Sequence, residues 1–204
     1  MCGRYTGYVD ECEELKTIYT EAVRRYPGVK FHSGEIFPTN TVPLLTGQRE
    51  GLAPVPGTWG YPGYNGKGVI INARAETAGV KPTFADSLRY RRCVVPTTGY
   101  FEWSGEKRKF LFRQPNRTIL YLAGLYREYA DGVRFVILTT SANVSTADVH
   151  PRMPVVLGED MLEMWGYDAK FRTQRIVLLS MGGFLRFRCD VLGCIAALFY
   201  IVQQ

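Results

Sequence analysis

The stretch ILYLAGLYREYADGVRFVILTTSA, residues 119–142, carries the clearest structural signal in this chain. Two apolar and aromatic runs, ILYLAGLYREY and RFVILTTSA, flank an Asp-Gly pair at residues 131–132. Asp-Gly between two such runs favours the tight turn of a β-hairpin. The stretch therefore predicts two antiparallel strands joined by a short turn.

The segments before this hairpin continue the β pattern, because short apolar runs alternate with turn residues. CVVPTTGYFEW (93–103) predicts a strand, a turn and a second strand. GLAPVPGTWGYPGYNGKG (51–68) is dense in turn residues and predicts an ordered loop that flanks short strands. The other predicted strand segments are EIFPTNTVPLLT (35–46), VIINARAE (69–76) and KFLFRQ (109–114).

Two helices are predicted among these strands. Residues 10–26 place apolar side chains at helical spacing after a short strand, Arg4–Val9. Asp10 is expected to cap this helix, and the Pro-Gly pair at 27–28 is expected to end it. EDMLEMWGYD (159–168) predicts a second, short helix.

The last part of the chain departs from these patterns. MGGFLRFRCDVLGCIAALFYIVQQ (181–204) abandons the alternation and predicts neither a clear strand nor a clear amphipathic helix. Residues 1–204 as a whole predict a single α+β domain, with strands wrapped into a barrel or a folded sheet and a few peripheral helices.

The composition limits the function classes. With 204 residues, 46% hydrophobic and 22% charged, the chain is long enough for one domain with a sizeable core. The net charge of +6 is compatible with a polyanionic partner but does not require one. Five cysteines without a CxxC pair argue against a disulfide framework or a zinc site, so neither a metal nor a cofactor is expected.

The sequence also suggests where the protein works. Residues 1–25 are polar and charged, unlike a secretory signal, and this predicts a reducing, cytoplasmic location. The apolar stretch Val191–Val202 is too short for a membrane span. A monomer is expected.

Cys2, in the opening MCGRYTG, is the first candidate for chemistry. Removal of Met1 would leave a free α-amine and a thiol on one carbon skeleton. The thiolate of such an aminothiol attacks an acyl carbon with the amine as base. Alternatively, the amine condenses with an aldehyde to an imine, and the thiol closes a thiazolidine ring. If Met1 is retained, Cys2 has neither role.

INARAET (71–77) supplies a second group of polar side chains. In a strand, Asn72, Arg74 and Glu76 share one face. An Asn orients a carbonyl or an amine, and an Arg grips a phosphate in a forked pair. The face is either a ligand-facing wall or a solvated surface with an internal ion pair.

Two further segments present titratable side chains. In TTGYFEW (97–103), Glu102 lies between two aromatic residues, which raises a carboxyl pKa if the side chain is buried, whereas simple alternation turns it to water. In DVHPRMPVVL (148–157), Pro151 forces His150 into an extended backbone, so the loop either presents an imidazole to a site or is a surface turn.

Taken in order, MCGRY, INARAET, GYFEW and HPRMPVVL resemble the SOS response-associated peptidase (SRAP) family over about residues 1–165. GEIFPTNTVPLL and WGYPG also match its pattern. The resemblance implies a compact α+β fold around a β-barrel-like core. It also implies a DNA-repair protein that binds single-stranded DNA, associates with the nucleoid when DNA is damaged, and traps abasic sites as a covalent DNA–protein crosslink.

The resemblance assigns roles to individual residues. The family nucleophile matches Cys2, and the other catalytic positions match Asn72, Glu102 and His150. EIFP and the Tyr64-Asn65 pair depart from the family pattern, and this makes Pro38 and Tyr64 the candidate wedge or stacking surface. The expected DNA contacts are Arg4, Arg74, Arg152, Pro38, Trp59, Tyr64 and Trp103.

Three alternatives remain open from the sequence. Met1 is removed either by the Cys2–Glu102–His150 cluster itself, a cysteine-peptidase-like self-processing, or by a methionine aminopeptidase. N-terminal-nucleophile glutamine amidotransferases also begin with MCG, and there the cysteine attacks a glutamine amide. A module that binds single strands through charge and stacking, without catalysis, is the third possibility.

Overall fold

The computed structural model describes residues 2–167, 185–190 and 193–195, which contain sixteen strands and four α-helices. The strands are β1 Arg4–Gly7, β2 Gly34–Ile36, β3 Thr41–Gln48, β4 Gly51–Trp59, β5 Tyr61–Pro62, β6 Val69–Ile70, β7 Asn72–Arg74, β8 Arg92–Thr97, β9 Gly99–Trp103, β10 Lys109–Arg113, β11 Leu120–Tyr129, β12 Gly132–Ser141, β13 Arg152–Pro154, β14 Val156–Leu157, β15 Leu185–Asp190 and β16 Gly193–Ile195. The helices are α1 Glu13–Arg25, α2 Ala75–Ala78, α3 Pro82–Tyr90 and α4 Leu162–Tyr167. Single 3-10 turns lie at Val9–Glu11, Tyr64–Gly66 and Glu159–Met161.

The predicted hairpin closes a five-stranded barrel. β12 pairs with β11 on one side and with β4 on the other, and the ring continues through β3 and β8 back to β11. Tyr129 opposes Gly132, so the turn consists of Ala130 and Asp131, one residue before the predicted pair. Gly132 adopts φ 116, a left-handed value that favours glycine. The hairpin and the barrel-like α+β class are confirmed.

The hairpin runs are almost continuously apolar because both faces of these strands are buried. Leu120 and Leu122 join an inner cluster with Phe135 and the side chain of Cys2. The intervening residues, such as Tyr121, join an outer cluster to which all four helices contribute. A strand that is covered on both faces reads as an apolar run rather than as an alternation.

A second, six-stranded sheet has the order β16-β15-β10-β9-β1-β2. The chain passes from the barrel into this sheet at Thr98, between β8 and β9. Buried hydroxyls fix the corner: Thr6 Oγ1 lies 2.8 Å from Thr98 Oγ1, and Thr97 Oγ1 donates to the Thr6 carbonyl at 2.5 Å. This corner sets β1 beside β9, and these strands carry three predicted site residues, Arg4, Glu102 and Trp103.

The prediction for the end of the chain was wrong where the structure describes it. β15 pairs antiparallel with β10, and β16 pairs with β15, so residues 185–190 and 193–195 extend the six-stranded sheet. Backbone pairing to an existing edge needs no side-chain alternation. The rest of the 181–204 tail, including most of the apolar stretch Val191–Val202, lies outside the described residues. No helix in the described part is long and apolar enough to cross a membrane.

The predicted first helix is confirmed, but its cap is not Asp10. α1 starts at Glu13, and the Cys12 side chain accepts from the backbone N–H of Leu15 at 3.4 Å. Asp10 lies instead in the preceding 3-10 turn. The sulfur is buried and still satisfies one of the free amides of the first turn. The helix predicted over 159–168 is present as α4 after its own 3-10 turn.

The loop predicted over 51–68 was also wrong in its first half, which is strand β4. β4 pairs along its full length with β3, and Pro43 directly opposes Pro56. Two prolines opposite one another occupy a position that exchanges no N–H···O bonds. Pro54 and Pro56 therefore remove no hydrogen bond between β4 and β3. The other edge of β4 pairs with β12 only at Thr58–Trp59.

Gly124→Ala tests the packing of the barrel. Gly124 on β11 opposes Cys93, and an added Cβ would lie 2.8 Å from the Cys93 sulfur and 3.3 Å from the Val136 carbonyl. We expect a loss of about 1–3 kcal/mol in the free energy of unfolding, as for other overpacked cores. Urea denaturation measures the loss.

Two controls accompany this variant. Cys93→Ala in the Gly124→Ala background removes the closest atom and should restore part of the stability. Gly105→Ala places its Cβ in open space and should change stability by less than about 0.5 kcal/mol. Equal losses at Gly105 and Gly124 would contradict the packing argument.

Candidate active site

Cys2 is buried in the inner cluster, with an exposed fraction of 0%. Its sulfur donates to the Arg4 carbonyl at 3.7 Å. The Asn72 side chain donates from Nδ2 to the Cys2 carbonyl at 2.7 Å. Asn72 holds this place because β7 pairs in parallel with β12, where Ile137 opposes it. The chain end is thus bound to the barrel by a side chain 70 residues away in sequence.

The carbonyl oxygen of the Asn72 side chain is buried and accepts no hydrogen bond from the residues that the structure describes. The Cys2 carbonyl requires an N–H donor, so the amide orientation is fixed and Oδ1 is turned away from that carbonyl. A buried acceptor of this kind is suited to a donor that arrives with a reaction or a ligand.

Glu102 is 2% exposed on β9. Burial raises the pKa of its carboxyl above the ordinary 4.5, and the charge of His150 opposes part of this rise. The aromatic neighbours that the sequence indicated do not make this environment, because Phe101 and Trp103 point to the opposite face of the strand. The interpretation of Glu102 as a shielded carboxyl therefore holds for a different reason, its burial toward the barrel.

The Cys2 thiol and Glu102 influence one another. Burial raises the pKa of the Cys2 thiol strongly, and the negative charge of Glu102 raises it further. The hydrogen bond to the Arg4 backbone acts in the opposite direction. In the structure the sulfur is therefore a protonated thiol and a weak nucleophile.

His150 lies on the loop between β12 and β13. Its backbone N–H donates to the Thr146 carbonyl at 3.0 Å, and its Nδ1 accepts from the Arg152 backbone N–H at 3.0 Å. This local turn holds the His150 ring against the backbone of Arg152. Nδ1 also lies 3.0 Å from the Arg152 carbonyl, which accepts from it when Nδ1 carries a proton.

Arg152 fixes this loop from the other side. Its guanidinium donates to both oxygens of Glu76, at 2.7 and 2.9 Å, and to the Thr139 carbonyl at 2.7 Å. The hydrogen bonds from Arg152 hold the pKa of Glu76 below its ordinary value. A forked pair with a backbone contact is well suited to keep the His150 loop on the barrel.

The predicted common face of Asn72, Arg74 and Glu76 was wrong. β7 ends at Arg74, and Glu76 lies on α2, where its partner is Arg152. Asn72 is half-buried in the site and Arg74 is exposed. The chain changes from strand to helix within these few residues, so the side-chain alternation of a strand does not extend to Glu76.

The structure also corrects the role of Trp59. The ring is 0% exposed and packs on Tyr5 with ring centroids 5.0 Å apart, so it cannot stack on a base. Its Nε1 donates to the Ile71 carbonyl at 3.0 Å. Trp59 therefore supports the residue next to Asn72 from inside the core.

The other predicted DNA contacts lie on the surface or at its edge. Tyr64 is 76% exposed, with its hydroxyl 3.2 Å from the Thr83 hydroxyl. Pro38 is half-buried in the turn between β2 and β3, and Trp103 is half-buried at the end of β9. Arg4 contacts Glu35 at 3.1 Å. These positions remain predictions as DNA contacts.

Sequence reasoning missed Glu35 and Lys109. Lys109 directly opposes Trp103 across β9 and β10, and its ammonium lies 2.5 Å from Glu35. Only the register between strands reveals this neighbourhood, since no short motif contains both residues. Within the described ranges, no group of three or more His, Cys, Asp or Glu side chains could hold a metal ion.

A family model described as SOS response associated peptidase (SRAP) matches residues 1–180. The chain belongs to this family. The abasic site processing protein YedK of Escherichia coli K12 is 29% identical over 177 residues, which cover 81% of this chain and 79% of YedK. The abasic site processing protein YoaM of Bacillus subtilis is 33% identical over 105 residues, covering 47% of this chain and 46% of YoaM.

Solved structures support the same fold. A protein of Bacteroides thetaiotaomicron superposes with a TM-score of 0.74 at 20% identity, over 93% of each chain. A protein of Bordetella bronchiseptica also gives a TM-score of 0.74 at 20% identity, over 93% of this chain and 100% of its own. The SRAP resemblance of the four sequence motifs is thus confirmed at the level of family and fold.

Glu102→Gln tests the electrostatics of this SRAP site. Burial places the native pKa of Glu102 above its unfolded value, so the native state holds more protons than the unfolded state. The carboxyl therefore lowers the free energy of unfolding progressively as pH rises above about 4.5. We expect the variant to melt at a higher temperature than the wild type at neutral pH, with the gap closing toward about pH 4.

Thermal unfolding followed by circular dichroism across this pH range measures the gap. Glu128→Gln, at an exposed position on β11, is the matched control and should show no pH-dependent gap. A gap for Glu102→Gln that is constant with pH would show that the carboxyl is not shielded.

Proposed function

We propose that this chain processes abasic sites in single-stranded DNA by forming a covalent bond between Cys2 and the sugar aldehyde. The observation that supports this most strongly is the buried Cys2, held by Asn72 beside Glu102. The names of YedK and YoaM, abasic site processing proteins, support the same substrate class. The four catalytic positions come from one chain, so a monomer suffices for each abasic site.

The chemistry begins with a free α-amine on Cys2. Met1 lies outside the described residues, and its removal is part of the proposal. An α-amine has an ordinary pKa of about 8, so a substantial fraction is neutral at physiological pH. Two routes lead to it: a methionine aminopeptidase, or a self-cleavage in which the Cys2 thiol attacks the Met1 carbonyl and water releases the acyl group.

The amine reacts first, because the thiol is protonated. The nitrogen of Cys2 attacks C1′ of the open-chain aldehyde and forms a C–N bond, giving a carbinolamine. Asn72 Oδ1, the buried acceptor, binds an N–H of this amine and aims its lone pair at the carbonyl. Glu102 accepts a proton from nitrogen and returns one to the carbinolamine oxygen, which leaves as water. The raised pKa of Glu102 suits a group that must both take and give a proton.

Thiazolidine formation completes the bond. The Cys2 sulfur adds to the imine carbon, its proton goes to the imine nitrogen, and no oxidant or reductant is required. Both atoms belong to the same residue, so the closure is intramolecular and strongly favoured by proximity.

His150 assists before the amine attacks. An abasic sugar is mostly a closed ring, and the aldehyde appears only when the ring oxygen gains a proton. The protonated imidazole of His150 donates this proton from Nε2 and becomes neutral, while its Nδ1 lies 3.0 Å from the Arg152 carbonyl, to which a protonated Nδ1 donates. The self-cleavage of Met1 would employ the same three residues, Cys2, Glu102 and His150.

Single strands are preferred for a geometric reason. A buried aminothiol cannot reach C1′ inside a stacked duplex unless the nucleotide leaves the stack. Arg4 and Arg74 contact the flanking phosphates, a contribution that weakens with salt. Tyr64, whose ring is exposed, stacks on an adjacent base, worth about 1–3 kcal/mol.

Cys2→Ala tests the covalent step. We expect this variant to bind an abasic single strand but to give no crosslink that survives denaturation, because it lacks the sulfur that closes the ring. A denaturing gel of protein mixed with an abasic oligonucleotide measures the crosslink, and intact mass shows whether Met1 has been removed. Cys93→Ala, which removes another buried thiol, is the matched control and should crosslink normally.

Two results would contradict the mechanism. Crosslinking by Cys2→Ala at the wild-type rate would exclude the thiazolidine, and wild-type protein that binds without crosslinking would indicate the non-catalytic module. Release of ammonia from glutamine, measured with the same preparation, would instead support the amidotransferase alternative.

His150→Ala tests the proton donor. General acid catalysis contributes about 10²–10⁴-fold, so we expect crosslinking to slow by at least about 10²-fold at neutral pH. Single-turnover crosslinking across about pH 5–8 measures the rates of the wild type and the variant. An unchanged rate profile would remove His150 from the mechanism.

A further inference from the structure

The outer face of the six-stranded sheet carries a cluster of charged and aromatic side chains. Arg4 opposes Phe101 across β1 and β9, and Lys109 opposes Trp103 across β9 and β10. Directly opposed residues point to the same face of a sheet. We call this the outer-face cluster; its members are Arg4, Glu35, Phe37, Phe101, Trp103 and Lys109.

One carboxylate oxygen joins the two cations of this cluster. Glu35 Oε1 accepts from the Arg4 guanidinium at 3.1 Å and from the Lys109 ammonium at 2.5 Å. All three side chains are partly buried, with exposed fractions between 24% and 31%. Two positive charges thus face one negative charge, in a place that solvent screens only in part.

Aromatic rings hold both cations independently of Glu35. The Arg4 guanidinium lies 4.1 Å from the centre of the Phe37 ring, and the Lys109 ammonium lies 3.8 Å from that of Phe101. Cation–π contacts of this kind keep a cation in place without neutralising it. If Glu35 moves away, the two donors remain side by side and oriented toward the vacated position.

This position lies next to the proposed site. Arg4 is separated from Cys2 by Gly3 alone, and two residues of extended chain span at most about 7 Å. On β9, Glu102 faces the site, whereas its neighbours Phe101 and Trp103 face the cluster. A strand of DNA with its abasic sugar at Cys2 therefore has a flanking phosphate within reach of Arg4.

We propose that Arg4 and Lys109 form a phosphate subsite that the Glu35 carboxylate occupies in the free protein. This inference rests on the proposed function. A phosphodiester adjoining the abasic nucleotide displaces Glu35 and receives donors from both cations. Glu35 is then a specificity-determining residue. Its carboxylate competes with the phosphates of every DNA strand for the two cations. Only a DNA strand that also reacts with Cys2 stays bound.

Glu35→Gln tests the competition. The variant keeps the side-chain shape and removes the charge that the phosphate must displace. We expect the Kd for an undamaged oligothymidylate to fall by about 3- to 10-fold at low salt, since the two cations no longer have a resident anion. The plot of log Kd against log salt should steepen by about 0.7, the value for one further phosphate neutralised on a single strand. Fluorescence anisotropy measures both quantities.

Two further variants make the test specific. Glu21→Gln removes the same charge from a carboxylate that also contacts two arginines, but on α1. It should leave the Kd and the salt slope unchanged. Lys109→Met keeps an apolar stem over Phe101, and in the Glu35→Gln background it should abolish most of the gain. Melting temperatures confirm that each variant is folded.

Crosslinking to an abasic strand, measured in parallel, separates the two proposals. Wild-type crosslinking with an unchanged Kd and slope for Glu35→Gln overturns the subsite and leaves the proposed function standing. An equal gain in Glu21→Gln also overturns the subsite, because the effect is then one of net charge. Absence of wild-type crosslinking overturns the proposed function, and tighter binding by Glu35→Gln in that case still supports an anion subsite.

Discussion

The backbone pairing of β12 is the constraint on which both the barrel and the site depend. Its first half bonds to β11 and β4 and closes the ring. Its second half bonds to β7 and β13, which hold Asn72 and the loop of His150 in place. A slip of one residue along β12 would turn every side chain to the other face. The register that closes the barrel therefore also sets the distance between Asn72 and the His150 loop.

Burial then determines the chemistry of the site. The thiol of Cys2 and the carboxyl of Glu102 are both buried, and burial raises the pKa of each. Two neutral groups are cheaper to bury than two charged ones, and each can release a proton when a reaction supplies a base or removes a neighbouring charge. Tyr5 and Tyr100, whose pKa values burial also raises, keep this environment neutral around them.

Local patterns in the sequence predicted the hairpin, the first helix and the α+β class, because turn chemistry and periodicity act over a few residues. They failed where the outcome depended on a distant partner. The prolines of β4 are tolerated because the register with β3 places them at positions that exchange no N–H···O bonds, and Trp59 is buried because the barrel closes over it. The proximity of Asn72 to Cys2 follows from a parallel pairing, which no short motif encodes. The family resemblance supplied the catalytic candidates that periodicity did not.

The alternation of side chains on β1, β9 and β10 separates the positive charges of Arg4 and Lys109 from the buried groups of the candidate site. Tyr5 and Glu102 face the barrel, whereas Arg4, Phe101 and Trp103 face outward. If the Arg4 guanidinium lay on the inner face, it would stabilise the ionised carboxylate and lower the pKa of Glu102, which would then be a poor proton donor. On the outer face it remains close to the chain end in sequence and available to a phosphate, with the sheet between its charge and the carboxyl. The alternation of side chains along β1, β9 and β10 thus places the two cations and the buried carboxyl on opposite faces of one sheet.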